Sequence, residues 1–225
     1  MLVPAGTYTN SGNKNLDFKK KSITLISSGG PGSVTIDCEN AGRGFYFYRG
    51  ETTSSILSGF TITGGNTNYG GGIYCKTSSP SIRHCLLENN TAGSGGGMYL
   101  WGASPVISNS TFSGNVAFAV GGGLYADAYL YTYQTSPTYK KRSYGSSPFV
   151  YDSCFEGNQS TQAAAVFMDD NNPVITWALA PEDRYQGTPK FYRCHLSGNS
   201  GASAVQCNGD VGTYMENCSV SGNSG

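Results

Sequence analysis

Asp169-Asp170 is a neighbouring carboxylate pair. Two carboxylates held about 5 to 9.5 Å apart are the minimum equipment of a glycoside hydrolase. No supporting base or cation stands at a telling spacing, so the pair reads as the start of an exposed loop. His84 and His195 lie in separate segments without a spaced acid, and read as turn or surface residues. The seven cysteines include no Cys-x-x-Cys, so neither a zinc ribbon nor a redox motif is present. Asn89, Asn109, Asn158 and Asn217 each open an Asn-x-Ser/Thr triplet and are candidate glycosylation sites. No metal-ligand set, cofactor motif or catalytic constellation is read.

What positions these residues is a repeat. Five segments align without gaps: Pro80–Asn90, Pro105–Asn115, Pro148–Asn158, Pro189–Asn199 and Thr213–Asn223. Three positions before the closing Asn stand Leu87, Phe112, Phe155, Leu196 and Val220. Eight positions before it stand Ile82, Ile107, Val150, Phe191 and Met215. Between these segments recurs Gly70-Gly71-Gly72-Ile73-Tyr74-Cys75, echoed by the stretches beginning at Gly95, Gly121, Ala163 and Ala202. Where nothing intervenes the repeat is about 25 residues, Pro80 to Pro105. Such a unit of short β-type runs cannot enclose a core alone; stacked on its neighbours at roughly 4.8 Å per coil, it can. The expected fold is all-β: a single-stranded right-handed parallel β-helix spanning residues 1–225 as one domain. The small triplets suit turns where adjacent backbones approach closely. The recurring Asn suits a left-handed turn or a side-chain bond to the backbone, and could form a ladder.

Alternation then puts Ile73, Met98, Leu124, Val166 and Val205 inside and a second row outside: Tyr46, Tyr74, Tyr99, Tyr125 and Phe167. That outer aromatic ladder is either a stabilising surface stack or a platform for a glycan or protein. Two insertions, 127–147 and 169–188, follow the same strand in successive coils and predict one lateral lobe. They carry Tyr131, Tyr133, Tyr139, Lys140, Lys141, Arg142, Trp177, Arg184 and Tyr185, of the types enriched at binding hot spots. Cys194 and Cys218 occupy one phase of successive coils, within disulfide range. Cys75 with Cys85, or Cys207 with Cys218, are competing pairs, and buried free thiols are the third alternative.

The alternation of Gly71-Gly72-Ile73, Gly96-Gly97-Met98 and Gly122-Gly123-Leu124 with Phe112-x-x-Asn115 and Phe155-x-x-Asn158 resembles the repeats of the chlamydial polymorphic outer membrane proteins. Val3-Pro4-Ala5-Gly6-Thr7-Tyr8 and Thr35-Ile36-Asp37-Cys38 resemble the first coils of pectin-lyase-like right-handed β-helix proteins. The resemblance implies the fold; the superfamily holds lyases, hydrolases, adhesins and fibre proteins, so it does not choose an activity. Polygalacturonase-like enzymes accompany their Asp-Asp pair with Gly-His-Gly and Arg-Ile-Lys motifs, and neither occurs here. No signal sequence or barrel anchor is read, and the chain is expected to be a piece of a longer solenoid or a unit that stacks end to end.

Composition narrows the partners. Lysine plus arginine equal aspartate plus glutamate at 14 each, which disfavours nucleic acid and anionic membrane surfaces. No apolar run reaches the roughly 18 residues of a membrane span. Sixteen tyrosines and ten phenylalanines argue against disorder. The expectation is an extracellular or cell-surface structural or adhesive module, with filament formation one form of it. Its partners would be further copies, stacked end to end or laterally, or a surface glycan or protein. A polysaccharide-binding or polysaccharide-degrading protein is the alternative.

Overall fold

The computed structural model describes residues 1–135, 138–169, 184–185, 187–208 and 212–224. Its strands are short, most of them three or four residues, and are cut at fixed phases by left-handed turns. One such turn falls at His84, Asn109, Asp152, Arg193 and Asn217, with φ from 49° to 53°. The other falls at Asn89, Gly114, Gly157, Gly198 and Gly222. Side-chain-bearing residues are disfavoured there, so each turn is sustained by the stack above and below it. His84 is thereby explained as a turn residue.

Among the described residues four coils carry four strands, one more than the repeat suggests; Ser81–Arg83, Leu86–Glu88, Thr91–Ser94 and Met98–Trp101 make one such coil. Equivalent strands pair in parallel. Two eight-stranded sheets hold the first two strands of every coil, a four-stranded sheet the third and a six-stranded sheet the fourth. The register is the one the alignment requires, Ile82 against Ile107 and Ile107 against Val150, and Leu87 against Phe112 and Phe112 against Phe155. The architecture is a right-handed parallel β-helix. Its interior is a set of ladders: Leu57, Ile82, Ile107 and Val150 fully buried along one wall, Ile62, Leu87, Phe112, Phe155 and Leu196 along the next, Ile73, Met98, Leu124 and Val166 along the third. Phe112 and Phe155 stack face to face at 4.7 Å.

The closing asparagines form the ladder that spans the coils. The Asn115 side chain is wholly buried, and its Oδ1 accepts from both the backbone N–H and Nδ2 of Asn90, each at 3.1 Å. Its Nδ2 donates to Leu87 O at 2.9 Å and to Asn158 Oδ1 at 3.0 Å. Asn158 repeats this with Asn199, and Asn199 with Asn223. The left-handed residue is the one before the asparagine, so the two roles expected of the Asn fall on neighbouring positions. The triple glycine is equally stereospecific: a Cβ on Gly97 would lie 2.6 Å from Gly123 O.

Asn115→Ala is expected to cost about 3 kcal/mol or more, because it strands buried groups in two neighbouring coils. Chemical denaturation of the wild type and the variant measures it.

Candidate functional site

The six-stranded sheet ends in a row that no motif search isolates. Lys76, Trp101, Asp127, Asp169 and Asn208 stand in register on successive coils. Lys76 Nζ lies 4.6 Å above the Trp101 ring, and Trp101 Nε1 donates to Ala128 O at 3.0 Å. The Tyr99 hydroxyl donates to Asp127 Oδ2 at 2.6 Å. Burial pushes the Asp127 carboxyl up to about 6; the neighbouring Asp169 adds to this, while the Tyr99 bond and the Ala128 N–H oppose it. Burial, then Asp127 itself, drives the Tyr99 and Tyr125 hydroxyls far above the ordinary phenol range. Asp127 is the residue that sequence reasoning missed. Its signal was available: Leu124-Tyr125-Ala126-Asp127 aligns with Val166-Phe167-Met168-Asp169.

The outer aromatic ladder forms as read. Tyr46 and Tyr74 stack at 5.0 Å, and Tyr74–Tyr99, Tyr99–Tyr125 and Tyr125–Phe167 follow at 5.0, 5.0 and 5.3 Å. Of the two readings of this ladder, burial fits the stabilising stack and not the open platform: Tyr74, Tyr99, Tyr125 and Phe167 are buried, Phe167 at 2% exposure, and Tyr46 is half-buried. The chain doubles back at Gly70, Gly95 and Gly121 and lays the third strand of the coil beside the rings, so that Tyr69 packs on Tyr99 at 5.0 Å and Val120 packs against the cluster. The ladder is a second, outer core.

The first insertion leaves the coil at Asp127 and forms a hairpin, Tyr129–Thr135 against Thr138–Tyr144. Arg184–Tyr185, from the second insertion, pairs in parallel with the hairpin's second strand, so strands of both insertions join in one three-stranded sheet. Trp177 and the side chains of Tyr131, Tyr133, Tyr139, Lys140, Lys141, Arg142, Arg184 and Tyr185 lie outside the described residues. At the hairpin's root Trp101 meets Tyr129 edge-on at 5.0 Å. Thr77, Gly102, Tyr129 and Tyr144 line a notch there of about 330 Å³. Below the insertion the stack resumes unbroken: Ser104 N–H donates to Ser79 Oγ, Ser147 N–H to Ser104 Oγ and Thr188 N–H to Ser147 Oγ, at 2.9 to 3.0 Å.

The remaining candidates divide by burial. Asn89, Asn109 and Asn217 are exposed, whereas Asn158 belongs to the buried ladder with both amide hydrogens donated inward. Asn158 is therefore corrected: an oligosaccharide there would destroy the ladder. All seven cysteines stand as free thiols, so of the three alternatives the structure carries the unbridged one, with no bond among the candidates Cys194, Cys218, Cys75, Cys85 and Cys207. The reason is that cysteine and serine play one part at the first turn. Ser110 N–H donates to Ser153 Oγ at 3.2 Å and Cys194 N–H to Cys218 Sγ at 3.5 Å. Each hydroxyl or thiol also donates to the carbonyl two residues earlier, Ser110 to Ser108 and Cys85 to Arg83 among them. Burial raises the Cys85 and Cys194 thiols to about 11, so neither is a ready nucleophile. His195 is exposed and bonds Ser219, and Asp152 pairs with Arg193 across the first turn. Among the described residues no three His, Cys, Asp or Glu side chains gather as a metal site.

A family described as the right handed beta helix region matches residues 10–178. This chain belongs to that family. No curated protein matches it, and no solved structure does. The family match establishes the coil and its handedness, and leaves the activity to the residues of this chain.

Because the Asp127 pKa is raised on folding, the folded state holds the extra proton between about pH 4 and 6, and stability falls as pH rises through that window. Asp127→Asn keeps an acceptor for Tyr99 and removes the charge. It is expected to stabilise the protein by about 2 kcal/mol at pH 8 and to change little at pH 4. Thermal melts of both proteins at the two pH values check the sign.

Proposed function

We propose that this chain is an extracellular or cell-surface structural and adhesive module, a stiff solenoid that presents its lateral lobe to a partner. The observation that carries the reading is the division between coil and lobe. Within the described coils, the groups able to do chemistry are spent on stacking: asparagines on the ladder, serines and cysteines on the first turn, tyrosines on the outer core. The lobe adds residues without interrupting the Ser79–Ser104–Ser147–Thr188 ladder. Its edge strand, Tyr129–Thr135, has a neighbour on one side only among the described strands, which suits strand addition by a protein partner or a second copy. A surface glycan remains compatible with the aromatic notch at the root.

Polysaccharide cleavage is the second reading, and one observation favours it. Asp127 and Asp169 stand on adjacent coils, and Asp127 retains its proton to about pH 6, as a general acid would. Tyr99 holds Asp127 against the outer core, which puts the structural reading first.

The test replaces residues 128–147 with the short connection of the preceding coil, Gly102-Ala103-Ser104. The shortened protein is expected to melt within about 5 °C of the wild type. Its association with isolated cell envelopes of the source organism should weaken by tenfold or more, a loss of about 1.4 kcal/mol. Full retention of envelope binding would contradict a contact role for the lobe, and polysaccharide cleavage abolished by Asp127→Asn would establish the second reading instead.

A further inference from the structure

A cationic depression lies at the other end of the described solenoid, where the repeat is least regular. Lys19, Lys20, Tyr48 and Arg49 line an open hollow of about 720 Å³. Its lysines occupy a turn that L-residues resist: φ is 53° at Lys19 and 64° at Lys20, with Lys21 N–H closing on Phe18 O at 3.0 Å. Paired positive φ values favour Asn-Gly, not Lys-Lys. The turn is nonetheless firmly held. Phe18 is buried edge-on against Phe47 at 5.0 Å. Asp17 Oδ1 accepts Lys19 N–H at 2.7 Å. Glu51, 3% exposed, takes Lys20 N–H on Oε1 at 2.8 Å and, on Oε2, Arg49 N–H and the Ser78 hydroxyl, both at 3.0 Å. One buried carboxylate thus clamps two cationic turns side by side. Neither lysine ammonium has a carboxylate partner among the described residues.

We propose that this depression is a binding site for the sulfate groups of a sulfated polysaccharide. Backbone N–H groups at the hollow are consumed by Asp17, Glu51 and Ser78, which leaves side-chain cations, the two ammonium groups and Nη1 of Arg49, as its donors to an anion. Arg49 spends Nε on Asp17 and one Nη2 hydrogen on the Tyr48 hydroxyl, which anchors the guanidinium beside the lysines and leaves Nη1 as a further donor to an anion. Lysines act as undirected point charges, which suit a tetrahedral oxyanion. Tyr48 is covered by Tyr46 at 4.3 Å and by the Arg49 guanidinium at 4.5 Å, so it cannot stack a nucleobase. Recognition is by charge on an exposed surface, therefore modest in affinity and dependent on salt. The site is remote in sequence from the lateral lobe and stands independently of the lobe's role.

The experiment exploits the strained turn. Glycine prefers positive φ, so the double variant Lys19→Gly, Lys20→Gly removes both charges while relieving the backbone, and is expected to melt no lower than the wild type. Binding of the full chain to heparin at low salt should weaken by about tenfold in this variant, and the slope of log K against log salt should fall by about 2. Arg83→Gln with Lys190→Gln, an equal loss of charge at exposed positions elsewhere, should change binding less than about twofold. The proposal is overturned if the glycine variant binds heparin as the wild type does, if the control loses as much, or if polygalacturonate or single-stranded DNA binds the wild type as tightly as heparin.

Discussion

A buried primary amide must find partners for two donors and one acceptor, and in this solenoid it can find them only in the coils above and below. Asn158 shows the full set: Oδ1 accepts from Asn115, while Nδ2 donates to Phe112 O and Asn199 Oδ1. A slip of one residue would present a different side chain and leave several buried groups unpaired, at roughly 1 to 3 kcal/mol each. The ladder therefore fixes register in a fold whose three-residue strands are too short to fix it alone. Everything lateral follows from that register: the apolar walls superpose, the glycine triplets meet carbonyls at close range, and the tyrosines fall one upon another.

The outer tyrosines join packing to chemistry. Because the third strand of each coil covers them, they act as a second core, and their hydroxyls need acceptors. Asp127 supplies one to Tyr99, and the cost of holding a carboxylate there appears as its raised pKa. The same residue marks the point where the hairpin departs. The coil thus provides rigidity, and the insertions provide a surface that can vary without disturbing it.

Much of this was legible in the residues. The phase of Asn90, Asn115, Asn158, Asn199 and Asn223 and the apolar positions three and eight before it determine the fold and the inward walls. Two things were hidden for physical reasons. The covering strands, Asn66–Tyr69, Thr91–Ser94 and Val116–Val120, share no side-chain pattern, so nothing announced that the aromatic ladder would be covered. Cysteine at one turn looked like a crosslink; the alignment puts it in one column with Ser110 and Ser153, but the hydrogen bonds that make the two residue types interchangeable there are seen only in the structure. The Glu51 clamp joins residues 31 apart in the irregular early coils, where no repeat points to it.

Exchange of the asparagine side-chain amides with solvent, followed by NMR, tests the ladder most directly. Asn90, Asn115, Asn158 and Asn199 should hold their Nδ2 hydrogens at least about a thousandfold longer than an exposed asparagine such as Asn109, in step with the backbone amides of the interior strands. Side-chain exchange at the rate of Asn109, with the backbone amides of Leu87 and Phe112 still protected, would show that the strands keep their register without the asparagines and would contradict the account.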